Sequence, residues 1–327
     1  MVNLNTKIPT LQPRIIPRIF RKICKTEKKK GLTMKHFSND NKLIDLHTHS
    51  TESDGTLTPE ELMFHAKEVG LSAIALTDHD SISGIAKARP VAEKLGLELV
   101  PGIELSTDYQ KQEVHILGYY MDETHPGFLA KLKEFVDGRD KRNEKMTKLL
   151  QKEGFDITMK AICQEYPHSV ITRAHFGRYM VEHGFVKDRE TVFAKYLGDG
   201  RRCYVPRDKI TPFEAVKLIK MGGGLAFFAH PALCRMNHDR LRAMIKNLKE
   251  AGLTGLEAIY STNTSKEEKN MLQIAQEFDL LVSGGSDFHG SNKPFIHLGT
   301  GKGNLCIPYQ ILADIKEHLS IPSAPQG

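Results

Sequence analysis

Histidines and acids recur at one kind of place in this 327-residue chain, at or just after short runs of β-forming apolar residues. Asp45-Leu46-His47-Thr48-His49 closes the first run, with Asp54 shortly after. Thr77-Asp78-His79-Asp80 closes the second and Gly102-Ile103-Glu104 the third; His115 lies within the fourth. Ala229-His230-Pro231 and Ser286-Asp287-Phe288-His289 close later runs. Neutral imidazole and carboxylate are ligands for divalent transition ions. Residues two apart on a strand point the same way, so His47 with His49, and Asp287 with His289, can approach one ion as pairs. Six histidines and three carboxylates exceed one coordination sphere. They suit two or three ions sharing a bridging carboxylate, with Glu104 as the bridge. No cysteine falls in the set, which removes a thiolate zinc site and favours Mn²⁺, Fe²⁺ or Zn²⁺ bound by nitrogen and oxygen. A single strand-end histidine is ordinarily a hydrogen-bonded surface or core residue. Six strand ends in register are different, because they would bury unpaired polar groups at one mouth without reason.

Those positions converge only if the strands share a barrel. Strands are expected at Leu43–His47, Ala73–Thr77, Leu97–Ile103, Val114–Tyr120, Leu225–Ala229, Leu256–Tyr260 and Leu281–Gly284. Helices are expected at 58–69, opened by a Thr58/Glu61 capping box with Pro59, and at 84–95, 212–221, 238–251, 265–278 and 308–318. Between strands four and five the rhythm changes to a long charged helix at 128–152, then helices near 172–183 and 190–197. About seven strand–helix units imply parallel strands with right-handed crossovers. In such a barrel the C-terminal ends of the strands form the mouth where active sites are built. No G-x-G-x-x-G follows the first strand, which argues against a dinucleotide fold. The fold class is therefore α/β: a small β/α barrel of about seven strands at 42–124 and 206–320, with a helical insertion at 125–205.

Charge and cysteines bound the rest. Residues 1–34 hold nine Lys/Arg against Glu27 alone, so this segment carries +8 and the remainder −2 of the net +6. The basicity belongs to a tail, and the body is not a basic platform for duplex DNA. Residues 1–41 read as a disordered or untranslated tail, since Met34 stands before the first patterned segment and the apolar stretches are broken by Pro9, Pro13, Arg14 and Pro17. No run is long and apolar enough to cross a bilayer. Five unpaired-looking cysteines fit a reducing cytoplasm rather than a disulfide framework.

The motifs Asp45-Leu46-His47-Thr48-His49-Ser50, Thr77-Asp78-His79-Asp80, Gly102-Ile103-Glu104-Leu105-Ser106, the lone His115, Ala229-His230-Pro231 and Ser286-Asp287-Phe288-His289 together resemble the polymerase and histidinol phosphatase (PHP) superfamily, from about residue 43 onward. Within it the pattern is similar to stand-alone enzymes that remove the 3′-phosphate of nucleoside 3′,5′-bisphosphates and trim short RNA from the 5′ end. The resemblance implies a distorted seven-stranded β/α barrel with a helical insertion domain capping the active site, and a trinuclear site, with manganese foremost. His47, His49, Glu104 and Asp287 would hold one ion; Glu104, His115 and His230 a second; Asp54, His79 and His289 a third. It also implies that Arg173 and His175, in Ile171-Thr172-Arg173-Ala174-His175, meet substrate phosphate. A helix N-terminus capped by Thr172 suits that role, because free N–H groups and a guanidinium fork both favour an anion.

Asp45, Asp78 and Asp80 read as orienters of His47 and His79. Glu257 ends a strand and could reach the site, but is not assigned to it. Lys195, Arg201 and Arg202 read as solvated, and Gly222-Gly223-Gly224 as a helix stop. The expected chemistry is in-line hydrolysis of a nucleotide 3′-phosphoester by a metal-bridging hydroxide, with no covalent enzyme intermediate. The expected partners are a small nucleotide or short RNA. The alternatives are a hydrolase of another small metabolite such as histidinol phosphate, an amidohydrolase, or a non-enzymatic metal-bound module.

Overall fold

A computed structural model describes residues 42–110, 112–167, 169–206 and 210–320; the expectation for the basic tail at 1–41 lies outside them. Seven strands form one sheet in chain order: β1 Leu43–Asp45, β2 Leu71–Leu76, β3 Glu98–Tyr109, β4 Gln112–Tyr119, β5 Leu225–Phe228, β6 Gly255–Tyr260 and β7 Leu281–Gly285. Helices α1 Pro59–Glu68 and α2 Ser83–Leu95 follow β1 and β2. Between β4 and β5 run α3 Pro126–Lys152, α4 Met159–Glu165, α5 Arg173–Glu182, α6 Arg189–Val192 and α7 Pro212–Met221. The chain continues from α6 as a π-helical turn, Phe193–Leu197. Helices α8 His238–Glu250, α9 Ser265–Glu277 and α10 Gln310–Ser320 follow, with short 3₁₀ turns at Pro231–Cys234 and Gly290–Asn292.

Local chemistry sets these boundaries. Thr58 Oγ1 accepts from Glu61 N (3.2 Å) and Glu61 Oε2 accepts from Thr58 N (2.9 Å), which closes the capping box of α1. Leu62, Met63 and Ala66 then bury one face of that helix. Helix α4, which sequence periodicity did not reveal, is short and rests on its Thr158 cap, which accepts from Ala161 N at 3.1 Å.

The ring is nearly closed. Leu46 N donates to Gly284 O (3.1 Å) and Asp287 N to His47 O (2.8 Å), joining the ends of β1 and β7. Ile44, Ala75, Leu117, Tyr119, Phe227 and Ile259 form one apolar cluster with Leu312 and Ile315 of α10. Tyr119 links β4 to both β1 and β7, since its hydroxyl donates to Leu46 O (2.8 Å) and lies 2.9 Å from Ser283 Oγ. A second cluster packs α7, α8 and α9 on β3 to β6. Helices α3 to α6 share a cluster of their own, with Met146, Phe176 and Met180. Among the described residues, no helix is long and apolar enough to cross a membrane.

One expectation is corrected. The strands are not all parallel, because β4 runs antiparallel to β3 and to β5. β3 extends to Tyr109, which pairs with Gln112, leaving a two-residue hairpin with no room for a crossover helix. Reversal places the N-terminal half of β4 beside the C-terminal half of β3, with Ser106 opposite His115. His115 thus reaches the mouth from mid-strand.

Closure depends on a bare backbone at Gly285. A Cβ there would lie 2.2 Å from His47 Cβ and 2.6 Å from His47 N. Gly285→Ala is expected to lower stability by about 1–3 kcal/mol, the usual cost of overpacking, and the melting temperature by several degrees. Thermal unfolding followed by circular dichroism checks this, and an unchanged melting temperature would contradict such tight closure.

Candidate metal centre

Nine side chains meet at the mouth, and Glu104 stands at their centre. Its Oε2 lies 3.1 Å from His47 Nε2, 3.2 Å from His49 Nε2 and 3.2 Å from His79 Nδ1. Its Oε1 lies 2.7 Å from His115 Nδ1 and 2.9 Å from His230 Nε2. Asp287 Oδ1 sits 3.6 Å from His47 Nε2, 3.3 Å from His49 Nε2 and 3.4 Å from His289 Nδ1. Asp54 Oδ1 sits 3.2 Å from His289 Nε2 and 3.9 Å from His79 Nε2. Three groups have ligand atoms close enough to surround a single ion: His47, His49, Glu104 and Asp287; His49, Asp54, His79 and His289; and His79, Glu104 and His115. The sequence-based partition put His230 rather than His79 with Glu104 and His115. Both imidazoles touch Glu104, through different oxygens.

The cluster is buried and strained. Glu104 is 1% exposed, His47 and His49 fully buried, and Asp54, Asp287 and His289 nearly so. Asp80, His230 and Asp287 adopt φ of +53°, +30° and +58° without being glycine. Such backbone persists only where the surroundings over-determine it, and it gathers at functional sites.

Electrostatics divide the imidazoles. Burial opposes charge on His49 and His115, yet the neighbouring carboxylates override it. Asp287 and Glu104 push His49 up to about 9, and Glu104 with Glu113 push His115 up to about 9. His47 is raised by Glu257, Glu104 and Asp287, also against burial. Burial wins at His79, which is pushed down to about 3, and lowers His289 as well. Burial likewise opposes charge on Glu104, Asp54 and Asp287, but the surrounding imidazoles, and Lys293 beside Asp287, hold all three carboxylates well below their ordinary range.

Cations fit this place. His47 Nε2, His49 Nε2, Asp54 Oδ1 and His79 Nδ1 are buried atoms without a hydrogen-bond partner. Each faces other nitrogen or oxygen donors at a spacing that suits shared coordination better than directed hydrogen bonds.

The supporting groups differ from the expected ones. Asp45 and Asp78 bond backbone and hydroxyl groups rather than the rings of His47 or His79. Asp45 accepts from the backbone of His47 (3.3 Å), Ser286 (2.9 Å) and Gly299 (2.8 Å), which ties β1 to the end of β7. Asp78 holds Ser50 N (2.8 Å), Ser50 Oγ (2.7 Å) and Ser53 Oγ (2.6 Å), and so shapes the loop after His49. Asp80 accepts from Ser106 N (2.8 Å) and pairs with Arg139. The orienter of His47 is Glu257, whose Oε1 lies 2.9 Å from Nδ1 while its Oε2 accepts from His230 N at 2.8 Å. One signal was available for Glu257: it is a lone acid inside an apolar strand, fully buried, and such a group needs a partner. Tyr260 Oη and Lys293 Nζ bond the outer oxygen of Asp287 at 2.7 and 2.5 Å, and neither was singled out beforehand.

Beside the cluster lies a cavity of about 190 Å³ whose walls combine Asp54, His79 and His115 with Arg139, Arg142 and Arg173. Arg173 opens α5 and pairs with Glu113 (2.7 Å) and Asp199 (2.7 Å). His175 is buried, does not line this cavity and accepts from Thr172 N through Nδ1 at 2.9 Å. Burial pushes His175 down to about 4. Arg202 is exposed and pairs with Glu153, while Lys195 and Arg201 do not line the cavity.

Comparison with known proteins agrees with this picture. The family model described as "PHP domain" matches residues 45–206. A 5′-3′ exoribonuclease of Haemophilus influenzae is 36% identical over 248 residues, covering 76% of this chain and 90% of that protein. A 3′,5′-nucleoside bisphosphate phosphatase of Chromobacterium violaceum is 36% identical over 250 residues, covering 75% and 87%. The solved structure assigned to a metal-dependent phosphoesterase of Bifidobacterium adolescentis superposes with a TM-score of 0.76 at 27% identity, covering 87% of this chain and 99% of that one.

Two outcomes follow for ion binding. With His49 and His115 held near 9, the ion-free cluster carries protons at neutral pH that an ion must displace. Binding should therefore release protons and tighten as pH rises towards 9. Calorimetric Mn²⁺ titrations in buffers of different ionisation heat measure the release, and a value of zero would contradict it. Glu257→Gln, which weakens the hold on His47, is expected to lower Mn²⁺ affinity roughly 10- to 100-fold.

Proposed function

The chain belongs to the PHP domain family of metal-dependent phosphoesterases, and from that premise we propose that it hydrolyses a nucleotide 3′-phosphoester, in a nucleoside 3′,5′-bisphosphate or a short 5′-phosphorylated RNA. One observation carries this reading: ion-ligand candidates and guanidinium groups line the same cavity. A substrate with two phosphates needs both, one set at the reacting phosphorus and the other to hold the phosphate that does not react. The similar exoribonuclease and bisphosphate phosphatase support the same substrate class.

In this reading His47, His49, Asp54, His79, Glu104, His115, His230, Asp287 and His289 would hold two or three divalent ions, manganese foremost. Such ions would supply Lewis-acid stabilisation of phosphoryl oxygens and a lowered water pKa. The chain's own groups do the rest. Glu257 fixes the ring of His47 and the backbone of His230. Tyr260 and Lys293 hold Asp287 by its outer oxygen and leave Oδ1 directed at the imidazoles. Arg173 receives the non-reacting phosphate and converts its binding into orientation of the scissile bond. His175 serves that step indirectly, by holding Thr172 at the head of α5. The helices at 125–205 cap the site and narrow its opening.

The test is phosphate release from adenosine 3′,5′-bisphosphate by purified protein with Mn²⁺, Fe²⁺ or Zn²⁺. Manganese-stimulated turnover is expected, together with two or three bound ions per chain by elemental analysis. Arg173→Ala should lower kcat/KM roughly 10- to 100-fold on the bisphosphate, about the worth of one charged hydrogen-bonding group. No turnover with any of the three metals would overturn the reading. Faster turnover of histidinol phosphate than of any nucleotide would favour a small-metabolite phosphatase instead.

A further inference from the structure

The cavity beside the cluster also has an apolar stretch of wall. Among the described residues lining it, Phe193 is the one aromatic side chain other than the imidazoles of the cluster, and Ala174 lines it too. Sequence rhythm placed Phe193 inside an ordinary helix near 190–197. The chain there is instead a π-helical turn, Phe193–Leu197, closed by Gly198 N donating to Phe193 O at 2.9 Å. Turns of this width are rare and gather at functional sites.

Bare backbone on two sides fixes this residue. A Cβ at Gly198 would lie 2.3 Å from Phe193 O, so a side chain there would force the turn open. A Cβ at Gly177, in α5, would lie 3.1 Å from Phe193 Cε2, so the edge of the ring rests close against that helix. Phe193 packs at the margin of the cluster around Met146, Phe176 and Met180, and is only half-buried. Ring surface is therefore left over on the wall of a cavity that is otherwise mostly charged or hydroxyl-bearing. Exposed aromatic surface of this kind suits a flat, polarisable ligand.

Its place on α5 fits a nucleotide. Gly177 stands four residues beyond Arg173, so the ring meets the helix about 6 Å along its axis from the guanidinium-bearing head. One ribose separates the 5′-phosphate of a nucleotide from its base by a similar span. Tyr204 is the other ring nearby, but it lies against the Arg173 guanidinium, 5.5 Å from the ring centroid, and does not line the cavity.

We propose that Phe193 is the stacking platform for the nucleobase of the nucleotide that bears the scissile 3′-phosphoester. Every base has a π-face, so the platform responds to the presence of a base rather than to its identity. The proposal rests on the nucleotide reading above, but it is tested separately.

The manganese-loaded enzyme and its Phe193→Leu and Phe193→Tyr variants are compared on adenosine 3′,5′-bisphosphate and on 1,4-anhydroribitol 3,5-bisphosphate, which keeps both phosphates and lacks the base. Phe193→Leu is expected to lower kcat/KM roughly tenfold on the first and less than about twofold on the second, while Phe193→Tyr stays within about threefold of the parent on both. Equal losses on the two substrates would mean that the ring only packs the insertion, and would overturn the assignment, as would no loss on the nucleotide. Calorimetric titration of adenosine 5′-phosphate and 1,4-anhydroribitol 5-phosphate into the same proteins needs no turnover. The parent should bind the base-bearing ligand roughly tenfold more tightly, and Phe193→Leu should erase most of that difference. Equal binding of the two ligands by the parent, or binding of neither, overturns the proposal whatever the variants do. If the parent prefers the base-bearing ligand but hydrolyses neither bisphosphate, the nucleotide phosphoesterase reading falls while the titrations with Phe193→Leu and Phe193→Tyr still decide the platform.

Discussion

A carboxylate buried at 1% exposure and approached by five imidazoles governs this molecule. Glu104 cannot be an isolated charge at that depth, because desolvation would be far too costly without compensating partners. Its two oxygens divide the partners between them. Oε2 serves His47, His49 and His79; Oε1 serves His115 and His230. These come from strand ends or strands that are far apart in sequence, so their meeting requires a sheet that curves back on itself. The closure of β7 onto β1 is the same requirement seen from the backbone. Asp287 N donates to His47 O, and Asp45 accepts from Ser286 N, so the hydrogen bonds that close the ring also set two of the residues around Glu104.

The reversed strand β4 follows from the same demand. A parallel strand offers the mouth little more than its last residue and the loop beyond it. An antiparallel strand offers its first half, and every second side chain there shares a face. The register sets Ser106 opposite His115, so Glu104, Ser106, Glu113 and His115 all belong to one face of the β3–β4 hairpin. Glu113 in turn reaches both His115 (3.3 Å) and Arg173 (2.7 Å). One hairpin therefore supplies the central carboxylate, an imidazole on it and a carboxylate link to the head of α5.

Much of this was legible because the relevant signals are local. The His- and Asp-bearing motifs sit directly after apolar runs, and the strand-helix rhythm places them at one end whatever the details of each connection. The direction of β4 was not legible. The β3–β4 turn begins at Gln110, with φ of +54°, where Gly or Asn would have announced a two-residue hairpin. Glu257 was visible but discounted, because its partners, the ring of His47 and the backbone of His230, are distant in sequence and only the closed barrel unites them. The roles of Asp45 and Asp78 were hidden for a related reason. Their neighbours in sequence are histidines, yet an aspartate at a strand end finds loop N–H and hydroxyl groups within reach, and it shapes the loop instead of the imidazole.

The C-terminal part of α3 and helices α4 to α6 have a core of their own, around Met146, Phe176 and Met180, and could in principle pack without reference to the barrel. Their polar contacts show otherwise. Val170 N donates to Glu52 O at 3.0 Å and Ser169 Oγ to Thr51 O, both on the loop that joins His49 to Asp54. Arg139 pairs with Asp80, next to His79, and Asp80 N donates to the carbonyl of Glu104 at 3.0 Å. These are contacts to the segments that carry the cluster, not to the outer helices of the barrel. A shift of α3 or of the 169–171 segment would therefore be felt at Asp54, His79 and Glu104. Conversely, ions drawn between those residues would stiffen the loops on which α3 and α5 rest. Arginine placement and cluster geometry are thus two ends of one mechanical connection, and this explains why polar side chains at the head of α5 and along α3 are buried where the helix surface alone would leave them in water.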